Sequence, residues 1–483
     1  MMSEPVDMSD AASNRLKPPR RKKRMMPEHA DTLIKGAVIV TQDEERRIIR
    51  DGALAIRGDR IAAVGNRAEL ENKVHATSVI DGRRFVITPG FIDAHIHITG
   101  DPLTRGYLPD DIGNGFGDTL RRWVIPRYLA HSPADERLSA RLAAVEMLRA
   151  GTTCFLEAGT IRYLDEVVEG LGQAGIRARV GAWVEGRAAA AADNEAELTG
   201  RAIRLLEQEV ARFPADSGEK IAAWPILIGH STNTDEVWKA AKALADANKL
   251  GVSAHLSPYR TDPAWYLENL GRRPVEHLAQ LGVLGDNLCL THLVHIDDHE
   301  AALLAEARTN AIICPFAALK GAFGISALGR APEMAQAGMN IALGTDGYSS
   351  DLMQKMALAA ALFKDARQDT KIFPADQVLD MATLGGAKAL QLQDEIGSIA
   401  TGKKADFVLH DTNRPEWRPL LNIPQQLVWC ADGRSVHSVW VDGVRVVENY
   451  HHTLIDEDEL YAAAQTAGEA IIRRSGIPDV NEG

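Results

Sequence analysis

Two histidines two residues apart, His95 and His97, close an apolar run that begins at Ile87. In an extended strand, residues i and i+2 project to the same side, so both imidazoles can face one metal ion. Taken alone, the pair fits a hydrogen-bonded core equally well. Two further groups change the reading. His255 lies in Gly251-Val252-Ser253-Ala254-His255-Leu256-Ser257 and Asp346 in Ile341-Ala342-Leu343-Gly344-Thr345-Asp346, each at the end of a later apolar stretch. Three imidazole nitrogens and one carboxylate suit a borderline divalent ion: zinc first, with iron, manganese or cobalt as alternatives. Such an ion brings the pKa of its bound water to about 7 and supplies hydroxide at neutral pH.

Presenting these groups together requires strands that end on one face. The segments 87–97, 152–156, 178–184, 224–229, 252–256, 288–294, 311–314 and 340–344 read as eight strands. Helical patterns at 133–150, 234–248, 297–308 and 375–390 fall between or after them. That alternation predicts an α/β chain folded as a (β/α)8 TIM barrel over 89–399, with function at the C-terminal ends of the strands. Pro89-Gly90 marks a change of direction on entering the first of them. Outside the barrel, short strand patterns occur at 32–40, 48–56 and 60–64, and again at 405–410, 436–441 and 444–447. They predict a composite β-sandwich built from 31–88 and 400–455. Residues 456–483 read as a C-terminal helix and tail. Residues 1–30, with the basic block Lys17-Pro18-Pro19-Arg20-Arg21-Lys22-Lys23-Arg24, read as a disordered tail.

Bulk properties narrow the function. The chain has 483 residues, 45% hydrophobic and 25% charged, which suits one large domain plus a smaller one. A net charge of -12 argues against nucleic acid as a partner of the folded body. No apolar run reaches transmembrane length, and the N-terminus lacks a secretory h-region, so no membrane association is expected. Cys154, Cys289, Cys314 and Cys430 are scattered without a C-x-x-C spacing and read as buried strand residues in a reducing, cytoplasmic setting. The expected partner is a small-molecule substrate.

The run Pro89-Gly90-Phe91-Ile92-Asp93-Ala94-His95-Ile96-His97 closely resembles the first barrel strand of the metal-dependent amidohydrolase superfamily, in its cytosine deaminase and triazine chlorohydrolase branch. The similarity runs from about Asp31 to about Val447. It implies the same barrel and composite sandwich, metal ligands at His95, His97, His255 and Asp346, and a homo-oligomer, a dimer or higher. It also implies a catalytic pair. Asp346 accepts a proton from the attacking water, and His292 lies beside the metal against water or substrate. His295, one step beyond that strand, has a structural or supporting role. Binuclear relatives carry a modified lysine at the end of strand four. Pro225-Ile226-Leu227-Ile228-Gly229-His230 has none, which implies one ion per chain, while His230 takes a place where relatives contact substrate.

Two departures bear on the reaction. Deaminases of this branch have a proton-shuttling glutamate three residues after the strand-five histidine, and this chain has Pro258 there. After strand seven, where deaminases often carry His-x-Pro-x-Ser-Asn, the chain reads Ile313-Cys314-Pro315-Phe316-Ala317-Ala318-Leu319-Lys320. The pocket wall gains Phe316 and Phe323, which favours a more apolar substrate. Arg105 and Tyr259 are further substrate-binding candidates, and Lys320 reads as solvated. Glu157 and Glu185, near the ends of strands two and three, are acids able to replace the shuttle, though salt bridges suit them better. The expected enzyme is a mononuclear metal-dependent amidohydrolase. Metal-bound hydroxide attacks a C–N or C–S bond of an amide, carbamate, thiocarbamate or urea-type molecule. The alternative is an aminohydrolase or dechlorinase acting on a triazine, purine or pyrimidine.

Overall fold

The computed structural model describes residues 28–110, 116–190 and 192–480. The basic block of the expected tail lies outside the described residues. The first strand, Glu28–Val40, starts three residues ahead of the expected boundary at 31. It pairs antiparallel with Ile48–Arg57 and parallel with both Val74–Asp81 and Phe85–Pro89. Phe85–Pro89 then pairs antiparallel with Phe407–Asp411, near the other end of the sequence. Arg60–Asn66, Val436–Val441, Val444–Glu448 and His451–His452 complete a nine-stranded sheet drawn from both ends of the chain. Ile34, Ile39, Leu54, Ile87, Phe407 and Trp440 form its separate apolar core. Val74–Asp81 was not expected as a strand. Its largely exposed residues hide the alternation that marks a half-buried strand.

The rest of the chain is α/β. Eight strand positions appear in the expected order but take the form of two parallel sheets. One contains Phe91–Ile96, Thr152–Glu157, Arg177–Val180 and Ile221–Ala223. The other contains Ile226–Leu227, Val252–Leu256, Leu288–His292, Asn310–Ile313 and Ile341–Leu343. The fourth strand, expected at 224–229, starts earlier, at Ile221, and is broken at Trp224-Pro225, where proline cannot donate to a ladder. Its first piece pairs with one sheet and its second with the other. At the far seam, Ile96 bridges Asp346 in parallel, and the Asp346 N–H donates to the His95 carbonyl at 2.8 Å.

Gly90 passes the chain from the composite sheet into the first parallel sheet. A Cβ there would sit 2.0 Å from Thr153 Oγ1, so no larger residue fits. Arg177 clips the two parts together. Its buried guanidinium donates to Asp406 at 3.1 and 3.2 Å and to Asp442 at 2.5 Å.

Helix Pro133–Arg149 starts on a capping box at Ser132 and Asp135 and packs under the C-terminal helix Glu457–Ser475. The helical stretch expected at 375–390 is interrupted by a π turn at Met381–Gly385. The 400–455 piece is not all sandwich, because its helix Ile423–Trp429 packs on Leu352–Arg367 and Ala375–Asp380. Cys430 caps that helix and is exposed, contrary to its reading as a buried strand residue, and all four cysteines are free. No described helix is long and apolar enough to cross a membrane.

Candidate metal centre

His95 ends up fully buried on Phe91–Ile96, and His97 follows that strand by one residue. His255 comes from Val252–Leu256, His292 closes Leu288–His292, and Asp346 lies three residues beyond Ile341–Leu343. Their rings meet closely: His95 lies 4.6 Å from His255, 5.4 Å from His97 and 5.6 Å from His292, centroid to centroid. His97 Nε2 is 3.5 Å from His255 Nε2 and 3.2 Å from Asp346 Oδ1, and His292 Nε2 is 3.7 Å from Asp346 Oδ2.

These spacings test whether an ion fits. A tetrahedral shell with bonds of 2.0–2.1 Å has donor-to-donor edges of about 3.3 Å. The 3.2 and 3.5 Å separations match that edge. His95 Nε2 is buried without any hydrogen-bond partner, a costly arrangement that coordination removes. The residues therefore fit a divalent ion.

Neighbours orient the donors. Thr291 Oγ1 lies 3.0 Å from His95 Nδ1. Thr160 Oγ1 donates to Glu157 Oε1 at 2.8 Å and so presents a lone pair to His97 Nδ1, 3.3 Å away. Both contacts leave Nε2 as the free donor nitrogen. Asp93 ties the two chain segments together. It accepts the His95 N–H at 3.1 Å, the Thr345 N–H at 3.1 Å and the Thr345 hydroxyl at 2.5 Å. Gly344 admits this approach, since a Cβ there would lie 2.8 Å from His95 Cβ. Asp346 and His292 both hold left-handed backbones, with φ of 63° and 80°. For non-glycine residues that is strain held in place by the surrounding bonds.

The electrostatics favour neutral imidazoles at His95, His255 and His292, whereas at His97 burial is outweighed by the hydrogen bond to Asp346 and its charge, which raise the imidazole above its ordinary value. Burial, then the charge of His255, pushes His95 well below its ordinary value. Burial likewise brings His255 down to about 3. Burial works against a charged Asp346, but the hydrogen bond from His97 and the surrounding histidines hold its carboxyl far below the usual range.

The substrate candidates scatter. Tyr259 and Phe323 do stand near the set: Phe323 packs edge-on to His292 at 5.7 Å and meets Tyr259 at 6.0 Å. Phe316 contacts Tyr348 at 5.9 Å and carries the buried Lys355 ammonium 4.3 Å from its ring centroid. Arg105 is ion-paired with Glu146 at 2.5 Å and lines a groove of about 630 Å³ against the C-terminal helix, which no member of the metal set lines. His230 is buried with both ring nitrogens already engaged, by Tyr266 and by Asp235. A substrate contact from either Arg105 or His230 would need those bonds broken. Lys320 is not simply solvated, because it pairs with Asp110 and lies over Tyr348. Among the described residues Glu157 forms no salt bridge but accepts three hydrogen bonds from Gly159 and Thr160, while exposed Glu185 accepts the Trp183 indole N–H. His295 bonds the Phe323 carbonyl, a structural contact.

Sequence reasoning passed over Asp93, Thr160, Thr291 and Thr345. Asp93 and Thr291 each stand in an otherwise apolar, fully buried strand. A buried polar group must find a partner, and that was the available signal.

Comparison with known proteins agrees. The profile of the Amidohydrolase family matches residues 86–446, and that of the imidazolonepropionase-like composite domain of bacteria matches residues 52–72. A 5-methylthioadenosine/S-adenosylhomocysteine deaminase of Nitratidesulfovibrio vulgaris strain Hildenborough is 34% identical over 447 residues, spanning 92% of this chain and 97% of the relative. The crystal structure of an adenosine deaminase from Xanthomonas campestris with bound zinc superposes with a TM-score of 0.82 at 28% identity, covering 92% and 100% of the two chains. Atrazine chlorohydrolase from Arthrobacter aurescens TC1, complexed with zinc, shares the fold at a TM-score of 0.81 and 21% identity, over 90% and 100%. With most of its length matched by the family profile, and with histidines and a carboxylate gathered at its strand ends, the chain belongs to the amidohydrolase family and is a hydrolase acting on carbon–nitrogen bonds.

Proposed function

We propose that the two parallel sheets are halves of one (β/α)8 barrel and that His95, His97, His255 and Asp346 hold one catalytic zinc ion. The reaction is hydrolysis of an amide-, carbamate-, thiocarbamate- or urea-type bond in a small molecule. Pro258 carries this reading. It stands three residues past His255, where an acid would serve to protonate a heterocyclic ring, and it has no proton to give.

When bound, the ion acidifies a coordinated water so that hydroxide is available near neutral pH. Asp346 accepts the proton released from the attacking water and returns it to the leaving nitrogen. His292, 3.7 Å from that carboxylate, faces the substrate atom on which negative charge develops and stabilises it by hydrogen bonding. Phe323 and Tyr259 shield this side from water. A leaving group that is stable as it departs needs little help from an acid, so Pro258 is tolerated.

A second reading is supported by the deaminase relatives: removal of ammonia from an adenosine-like ring. It requires another proton donor. The acid nearest to Pro258 in sequence is Asp262, whose carboxyl burial raises to about 6 and which accepts the Ser257 N–H at 2.6 Å.

Profiling the zinc-loaded enzyme separates the two. Carbamates, ureas and amides should give a higher kcat/KM than adenosine-type nucleosides. Deamination of such a nucleoside at about 10⁷ M⁻¹s⁻¹ or faster would overturn the first reading.

A further inference from the structure

A second group of donors lies on the wall formed after the broken strand. His230 follows Ile226–Leu227, Asp235 is the first residue of helix Asp235–Asn248, and His277 sits on helix Pro274–Leu281. Asp235 Oδ1 is 3.2 Å from His230 Nε2 and 2.8 Å from His277 Nε2, and the three donor atoms all lie within 4.8 Å of one another. The 3.2 Å separation is again close to the edge of a tetrahedral shell, while the 2.8 Å one has the length of a hydrogen bond and would widen as an ion entered.

The His230 ring is held as a ligand is held. The Tyr266 hydroxyl meets His230 Nδ1, and Trp238 stacks on the His230 ring at 4.9 Å and 12°. His230 meets His277 edge-on at 5.1 Å. Both histidines are buried, at 2% and 6% exposure, and His277 Nδ1 has no hydrogen-bond partner. The Asp235 side chain is 31% exposed, which leaves a path for an ion and its water. Without an ion, two imidazole N–H groups converge on a single carboxylate oxygen. A cation would satisfy all three donors at one centre.

We infer that His230 Nε2, the Asp235 carboxylate and His277 Nε2 form a second divalent-cation site for zinc, cobalt or nickel, completed by water from the Asp235 side. It shares no residue with the set at His95 and adds an ion to the single one expected from the sequence. It joins a strand end to two separate helices and so acts as a clamp. It binds more weakly than the first site. It has one donor fewer, and the Arg187 guanidinium, bonded to the His230 carbonyl at 2.7 Å, adds a positive charge nearby.

The test uses the full chain, stripped with chelator and titrated with Co²⁺ under equilibrium dialysis with metal analysis. Wild type should bind two ions, one tight and one weaker. His277→Ala should lose only the weaker ion, by at least 100-fold in affinity, and Asp346→Ala should weaken only the tight one. Tyr266→Phe, a milder change in case His277→Ala does not fold, should loosen the weaker ion about 10–100-fold. A wild-type stoichiometry of one at 1 mM-scale free cobalt overturns the inference. So do two ions bound with unchanged affinities in the His277→Ala or Tyr266→Phe protein.

Discussion

His97 and His230 make the same pair of contacts in different surroundings. Each places Nε2 3.2 Å from a carboxylate oxygen and Nδ1 against a hydroxyl, Thr160 in one case and Tyr266 in the other. Around His97 stand three more imidazoles: His95, with its unpartnered Nε2, His255 and the adjacent His292. These come from the ends of parallel strands in the two sheets, which meet at the Ile96–Asp346 bridge. Around His230 there is one more imidazole and one carboxylate, both on helices. Strand ends fixed by their ladders deliver several donors to one point with little freedom left to lose. Helix positions deliver fewer, and each can drift with its own helix. The contact is common to both clusters, while the number of donors and the stiffness of their supports separate a reaction centre from a clamp.

The comparison is broken most severely at the first cluster. His95→Ala or His255→Ala should abolish binding of the tight ion and reduce turnover to background, as read by metal analysis beside an activity assay. Retention of both would show that the donors are wrongly assigned. His292→Ala should be gentler, lowering kcat by about 10²–10³-fold with the ion still bound, because it removes charge stabilisation and not a ligand. Next come the paired hydroxyl deletions. Thr160→Val should loosen only the tight ion, by about 10–100-fold, just as Tyr266→Phe loosens only the weaker one. Cross-effects between the clusters would contradict their independence. The smallest effect is on stability. With the first cluster filled, zinc at about 100 times the second Kd should stabilise the protein by about 2.7 kcal/mol, seen as a concentration-dependent rise in Tm. That rise should be missing in His277→Ala.

The strands that carry the chemistry were legible because their apolar runs end in polar, metal-competent residues. Val252–Leu256 matched the expected bounds, and Leu288–His292 stopped at the histidine singled out. What was hidden depends on distant partners. Nothing near Val74–Asp81 announces a strand, because its ladder is with Glu28–Val40. The break at Trp224-Pro225 was signalled by the proline itself, yet 224–229 was read as one strand and the piece before the break, Ile221–Ala223, was missed. His230 was assigned to substrate from the family resemblance. Its real neighbours, Tyr266 and His277, are 36 and 47 residues away, and no periodicity predicts their meeting.

The strand Phe85–Pro89, which leads through Gly90 into the candidate ligands His95 and His97, has a consequence for biosynthesis. Thr88 reaches its buried partner His410 only after 322 more residues have been made. At ribosomal speeds of 5–20 residues per second, that is a wait of roughly 15–65 s. Throughout it, an apolar strand edge stands open beside the nascent histidines. The young chain is therefore a natural client for a chaperone, and a premature stop before Phe407 would leave a product with every metal ligand present and the strand beneath the first two unpaired on one side.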